Sequence, residues 1–342
     1  MYEAKATRYD HLAIRSVGNS GLQLPAVSLG LWQRFDAQAP FDERQALLLH
    51  AFDQGVFHFD VADHYGIPYG SSEALLGKVL AGELKSYRDE LVIATKVGYA
   101  VGEGPFGSGL SRKAIMQHID GSLKRLQTDY VDVYYAHRFD DAVPLEETVS
   151  ALDAVVKSGK ARYIGISNYN VEQTQAALAL FEAYHTPVVV SQMSYNLFNR
   201  GVETSGLLEV LREHHQGLVA YGPLSEGLLS DRYLNGLPAD FKIHHTNQAT
   251  LSVGGEALVE KLNALNAIAQ NRGQSMSQFA LAWLLRDPVV ASVIIGTTSA
   301  EHLDDNLQAA QNMAFTADEL EAIEKIVALE SSTRNPIEAN ES

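Results

Sequence analysis

The chain has 342 residues, 46% of them hydrophobic and 20% charged, with 26 Lys plus Arg against 42 Asp plus Glu and a formal charge of −16. That apolar content is enough for one large core, and the negative balance argues against nucleic acid or an anionic membrane surface as partner. No cysteine occurs, which excludes disulfides, thiolate metal sites and cysteine nucleophiles.

The opening MYEAKATRYD is polar and does not read as a signal peptide, and no later run approaches the roughly 20 apolar residues of a membrane span. The expectation is a cytoplasmic protein. Residues 12–29 hold two extended runs around Gly18-Asn19-Ser20-Gly21, a turn-forming cluster that predicts a short hairpin capping one end of the fold. A regular alternation follows: strand near 26–31, helix near 42–54, strand 56–60, helix 71–81, strand 91–97, helix 111–127, strand 130–136 and helix 146–157. It continues with strand 161–166, helix 171–183, strand 188–192, helix 204–214, strand 217–221, helices within 257–286, strand 292–296 and helix 300–311.

In the helix at 111–127, Ser111 is a candidate cap, and Ile115, Ile119, Leu123 and Leu126 recur on one face. Strands such as LVIATKV (91–97) are nearly continuous apolar runs, as a parallel sheet covered on both faces requires. The prediction is an α/β fold, a (β/α)8 TIM barrel with an N-terminal β-hairpin cap and long active-site loops. It would form a single domain over 1–342, with its core at about 12–330 and polar termini. A doubly wound open sheet is the alternative, but it would gather its ligands at a switch point instead of after nearly every strand. The irregular stretch 222–256 reads as a functional loop, and the 99–110 loop as a mobile cover over a substrate pocket.

Polar residues stand where the strands stop: Asp60, Lys96, His137, Ser167 with Asn168, Gln192 and Tyr221. Barrel strands converge at their C-terminal ends, so Asp60, Tyr65, Lys96 and His137 can meet there. Together they suit proton delivery to a carbonyl oxygen. A neighbouring lysine cation is expected to lower the pKa of Tyr65 and make it a usable acid, with Asp60 as the counter-charge. His137 could orient the carbonyl or relay a proton. Singly, each has a structural explanation: Asp60 could cap a helix, Lys96 could be a solvated strand end, and Trp32 or Tyr221 could be core aromatics. Gly102-Glu-Gly104-Pro-Phe-Gly107 formally matches GxGxxG but opens no helix from a strand, so it is not read as a dinucleotide fingerprint. His244-His245 lacks a converging ligand spacing, so no metal is expected.

The stretches Asp60-Val-Ala-Asp-His-Tyr65-Gly66, Ala-Thr-Lys96, His137-Arg138 and Gly165-Ile-Ser-Asn168-Tyr169 resemble the signature of the aldo-keto reductase superfamily over about residues 14–330. Ser28-Leu-Gly-Leu-Trp32, Ser194-Tyr-Asn-Leu197 and Gly222-Pro-Leu224 with Gly227-Leu-Leu-Ser230 are similar to the branch holding the bacterial L-glyceraldehyde-3-phosphate reductases and the potassium-channel β subunits. The resemblance implies that Tyr65 is the general acid, supported by Asp60, Lys96 and His137, with Trp32, Tyr65 and His137 lining the substrate site. It implies a nicotinamide cofactor touching Trp32 and Asp60, with Ser167, Asn168 and Gln192 on its carboxamide and Tyr221 on its ring. Gly222, Pro223, Leu224, Ser225, Gly227 and Leu228 would wrap the pyrophosphate. Gly296, Thr298, His302, Asp305 and Asn306 would hold the adenosine end. Arg232 and Lys242 would supply positive charge for a 2′-phosphate, which favours NADPH with NADH as the alternative. The implied substrates are small polar aldehydes such as L-glyceraldehyde 3-phosphate or methylglyoxal, and the implied assembly is a homo-oligomer, a tetramer. A cofactor-bound regulatory subunit like the channel β proteins is the alternative function.

Overall fold

The computed structural model describes residues 2–10, 13–239, 241 and 255–328. A hairpin of β1 (Ile14–Ser16) and β2 (Gln23–Pro25) opens the fold, pairing Ile14 with Pro25 and Ser16 with Gln23. Eight parallel strands then close a barrel: β3 (Val27–Gly30), β4 (His58–Asp60), β5 (Val92–Val97), β6 (Val131–Ala136), β7 (Ala161–Ser167), β8 (Val188–Ser194), β9 (Gly217–Tyr221) and β10 (Val290–Ile295). β10 closes the ring on β3, pairing Val293 with Val27. The predicted (β/α)8 TIM barrel and hairpin cap are both present. Asn19 N–H donates to the carbonyl of His215 at 2.9 Å, just ahead of β9, so the hairpin covers the N-terminal end of the barrel. The opposite rim is left to the loops that follow the strands.

The helices are α1 (Phe41–Asp53), α2 (Ser71–Ala81), α3 (Arg112–Leu126), α4 (Leu145–Lys157), α5 (Val171–Tyr184), α6 (Gly201–Thr204), α7 (Leu207–Glu213), α8 (Gly255–Asn271), α9 (Met276–Leu285), α10 (Ala300–Leu307) and α11 (Ala317–Val327). α3 forms as its pattern predicts. Ser111 Oγ accepts from Ala114 N–H at 3.2 Å, and Ile115, Ile119 and Leu126 are buried against the barrel, a gain of roughly 1.5–3 kcal/mol for each side chain removed from water. No described helix is long and apolar enough to cross a membrane.

Two elements differ from the sequence expectation. The helix predicted at 204–214 is split into α6 and α7 at Gly206, whose φ of 83° breaks the helical path. α11 was not expected, although Thr316 and Glu319 form a capping box and Leu320, Ile323 and Val327 make a readable stripe.

The barrel interior includes a polar chain. Ser292 Oγ donates to the Pro25 carbonyl at 2.7 Å, so Ser28 Oγ, 2.6 Å away, donates to Ser292 and in turn accepts from His58 Nδ1 at 2.8 Å. That order places the proton of neutral His58 on Nδ1. Nearer the rim, Gly165 makes room for Tyr135: a Cβ at position 165 would lie 2.2 Å from that ring.

Candidate active site

β4 ends on Asp60, the following loop carries Tyr65, β5 carries Lys96 one residue from its end, and His137 directly follows β6. Strand register sets Asp60 beside Ala94 and Lys96 beside Tyr135, which brings these residues to neighbouring levels of the rim. Lys96 is fully buried. Its Nζ donates to Asp60 Oδ1 in a short contact, to the Val61 carbonyl at 3.0 Å and to Tyr65 Oη at 3.2 Å. The other Asp60 oxygen accepts from Gln192 Nε2 at 2.9 Å. An ammonium has three protons, and here each has an acceptor. Tyr65 Oη is therefore an acceptor from Lys96, and its own proton points elsewhere.

The electrostatics correct one expectation. Burial, then the negative charge of Asp60, pushes the Tyr65 hydroxyl well above the ordinary tyrosine value. The lowering expected from Lys96 is not found, because burial and the charges of Asp60, Tyr99 and Asp63 all act in the other direction. Burial also pulls Lys96 below the usual lysine value, against the opposing pull of Asp60. His137 is driven well below the ordinary histidine value by burial and by the Lys96 charge, so it is neutral at physiological pH. Its Nδ1 is buried with no hydrogen-bond partner among the described residues.

The sequence reading missed two members of this cluster. The His64 ring stands 4.9 Å from Tyr65, 4.7 Å from Tyr99 and 4.9 Å from His137, and Tyr99 meets His137 edge-on at 4.8 Å. Both follow barrel strands closely, a position that could have marked them, since the loops there line the mouth.

The residues assigned to a cofactor divide into a connected group and a dispersed one. Ser167 Oγ donates to the Gln192 carbonyl at 2.9 Å. Asn168, at a φ of 59° that asparagine tolerates, donates to the His137 carbonyl at 3.0 Å and accepts from Tyr221 Oη at 2.8 Å. Ser167, Asn168, Gln192, Tyr221 and His137 are thus one network. The segment 222–228 is compact: Gly222, Ser225, Glu226 and Gly227 all have left-handed backbones, a strained run of the kind found at ligand clamps. Within it Leu228 is fully buried, and Ser225 Oγ is buried without a partner among the described residues. Pro223 and Leu224 lie in the same turn, and the Arg232 guanidinium sits beside Gly227. Trp32 is exposed past the end of β3.

Farther along, Gly296 follows β10 with open space at its Cβ position, and Thr298 comes two residues later. His302 N–H donates to Ser299 Oγ at the start of α10, and Asn306 is buried on that helix. Asp305 has a structural task that the sequence did not reveal. It accepts from Ser275 Oγ at 3.0 Å and Gln278 Nε2 at 2.7 Å, tying α10 to α9. Lys242 and the His244-His245 pair lie outside the described residues. The 102–107 glycines form a turn, with Val101 N–H bonded to the Gly107 carbonyl at 2.8 Å, and no helix begins there.

A family model described as "Aldo/keto reductase family" matches residues 26–328. The chain is 46% identical over 329 residues to the L-glyceraldehyde 3-phosphate reductase of Escherichia coli (strain K12), covering 95% of each chain. It is 36% identical over 319 residues to a probable voltage-gated potassium channel subunit beta of Oryza sativa subsp. japonica, covering 92% of this chain and 96% of that one.

Proposed function

The chain belongs to the aldo/keto reductase family, and on that premise we propose that it is an NADPH-dependent reductase of small polar aldehydes, with Tyr65 as proton donor. The observation that carries this reading is the three-way hydrogen bonding of Lys96 Nζ to Asp60, Val61 and Tyr65, which leaves the Tyr65 proton free to face a substrate.

A bound dihydronicotinamide would supply the hydride that turns the carbonyl into an alkoxide. Neutral His137 has one N–H to give and can orient the carbonyl oxygen toward Tyr65, whose ring lies 5.9 Å away. The raised pKa of Tyr65 keeps its proton in place at neutral pH. An alkoxide is a stronger base than a phenolate, so transfer is still downhill once charge develops on the substrate. Lys96 then stabilises the phenolate left behind, and Asp60 with Gln192 holds Lys96 in position. The fit of the cofactor rests on the Ser167, Asn168 and Gln192 amide and hydroxyl groups at the rim, and on the strained turn 222–228, whose Ser225 hydroxyl has no partner among the described residues. Arg232, beside Gly227 and without an ion-pair partner among the described residues, supports NADPH over NADH. Gly296, Thr298, His302 and Asn306 would complete the adenosine end.

The substrates in this reading are L-glyceraldehyde 3-phosphate, the one named for the Escherichia coli relative, and methylglyoxal. The reading extends to one catalytic domain over residues 1–342, a cytoplasmic location and a homotetramer. The test is steady-state oxidation of NADPH, beside NADH, with DL-glyceraldehyde 3-phosphate, methylglyoxal and an aromatic aldehyde. Turnover with NADPH supports the reductase. Tight cofactor binding without turnover on any aldehyde selects the regulatory reading.

A further inference from the structure

Arg138 directly follows His137 at the barrel mouth and is exposed. Its guanidinium carbon lies 5.1 Å from the centre of the Tyr99 ring. Tyr99 in turn meets His137 at 4.8 Å, and His137 lies 5.9 Å from Tyr65. A continuous path of ring contacts therefore runs from the proposed proton donor to a cation. Gly98, at φ 143°, provides the bend: a Cβ there would stand 3.6 Å from His137 Cβ and 3.7 Å from Arg138 Cγ, so the backbone closely approaches both residues.

The Arg138 head group has no carboxylate within ion-pair distance among the described residues. Asp140, the acid nearest in the chain, is turned to the backbone instead, accepting from Leu110 N–H at 2.7 Å and Ala142 N–H at 3.1 Å. An arginine stacked on an aromatic face keeps its planar fork of N–H donors for an incoming oxyanion, and that fork matches phosphate with paired bonds. In a chain of formal charge −16, an unpaired cation beside the reacting centre is a local exception to the surrounding field. The flanking groups suit the uncharged part of a small substrate. The His64 and Tyr99 rings pack against each other at 4.7 Å, and His137 Nδ1 is buried without a partner among the described residues.

We propose that Arg138, held on Tyr99 beside His64 and His137, is a specificity-determining anion site that selects aldehydes carrying a phosphate a few atoms from the carbonyl. This rests on the reductase reading and deepens it: that reading names a phosphorylated substrate but assigns no residue to its phosphate.

The test compares kcat/KM for glyceraldehyde 3-phosphate with that for uncharged glyceraldehyde, in the wild type, R138Q and R138K, beside calorimetric titration with glycerol 3-phosphate. Loss of a charge-assisted pair predicts that R138Q lowers the phosphorylated-to-uncharged ratio on the order of 10- to 100-fold and weakens glycerol 3-phosphate binding in step. R138K keeps the charge without the fork and falls by less, and it serves in place of R138Q should that variant not fold. A ratio unchanged in both variants overturns the proposal, and so does an equal loss with both aldehydes. If the wild type reduces neither aldehyde, the reductase reading fails and the titration decides alone. Binding of glycerol 3-phosphate that depends on Arg138 sustains the site, whereas binding that is absent or independent of Arg138 overturns it.

Discussion

Nδ1 of His118 lies 2.7 Å from Oδ2 of Asp63, and the other nitrogen of the same ring lies 3.1 Å from the carbonyl oxygen of Phe106. A carboxylate and a carbonyl can only accept, so both ring nitrogens carry protons and the imidazole is a cation. Burial opposes that charge, but the bond and charge of Asp63 and the Phe106 carbonyl outweigh it and hold His118 above the ordinary histidine value. The ring connects α3 to the loop bearing Tyr65 and to the 98–110 loop at the mouth.

Stability from charged His118 is fully present below the unfolded histidine pKa of about 6.5 and is lost as pH rises through the raised folded value. Thermal unfolding of wild type and H118Q should therefore differ most near pH 6, with the difference shrinking as pH rises through that raised value. A difference constant over that range would contradict the assignment. H118A, which leaves buried Asp63 without its partner, should cost about 3 kcal/mol at pH 6.

His58 works in the opposite direction. Burial pulls it from 6.5 to about 4, so the unfolded chain takes up a proton that the folded chain refuses as pH falls below 6.5. At about 1.4 kcal/mol per pH unit, stability should drop by about 3 kcal/mol between pH 6.5 and 4 from this group alone. H58N should flatten that part of the stability profile, and denaturant titrations at three pH values would show whether it does.

Y65F keeps the ring and removes the proton. Aldehyde reduction should fall roughly 100- to 10,000-fold, while quenching or enhancement of nicotinamide fluorescence on binding persists. Loss of both signals would assign Tyr65 a structural role.

Lys96 and Asp60 form a buried ion pair with side-chain exposures of 0% and 3%. K96M alone leaves an isolated buried carboxylate and should destabilise by roughly 3–5 kcal/mol. K96M with D60N should recover much of that stability without recovering turnover, because the cation that stabilises the Tyr65 phenolate is still missing. D60N alone completes the cycle, and single-variant costs that simply add in the double variant would show that the pair is not energetically coupled.

Much of the barrel was legible because its rules are local. Apolar runs such as 91–97 read as buried strands, Ser111 announces α3, and polar residues such as Asp60, Lys96, His137 and Ser167 stand at or beside strand ends. The exceptions are local as well. Gly206 interrupts one expected helix, and the Thr316 and Glu319 box caps a helix that the sequence expectation did not include. The candidate tetrad was readable for the same reason, since parallel strands in a barrel must deliver their ends to one rim.

Other features depended on distances that no spacing encodes. The sequence placed a lysine near a tyrosine, but whether Lys96 lowers or fails to lower that pKa depends on how closely Asp60 approaches it and how deeply all three are buried. His64, Tyr99 and Arg138 sit on loops whose paths follow from packing across several strands, so their stack could not be derived from position alone. Asp305 is joined to Ser275 and Gln278, and His118 to Asp63, across 27 to 55 residues of chain. The sequence by itself determined the barrel, its hairpin cap and the strand-end residues that meet at its mouth, because hydrophobic periodicity and strand-end position are short-range properties. The tertiary structure decided which of those groups carry charge, which donate and which accept, because desolvation and Coulomb forces are set by neighbours that only folding brings within a few ångströms.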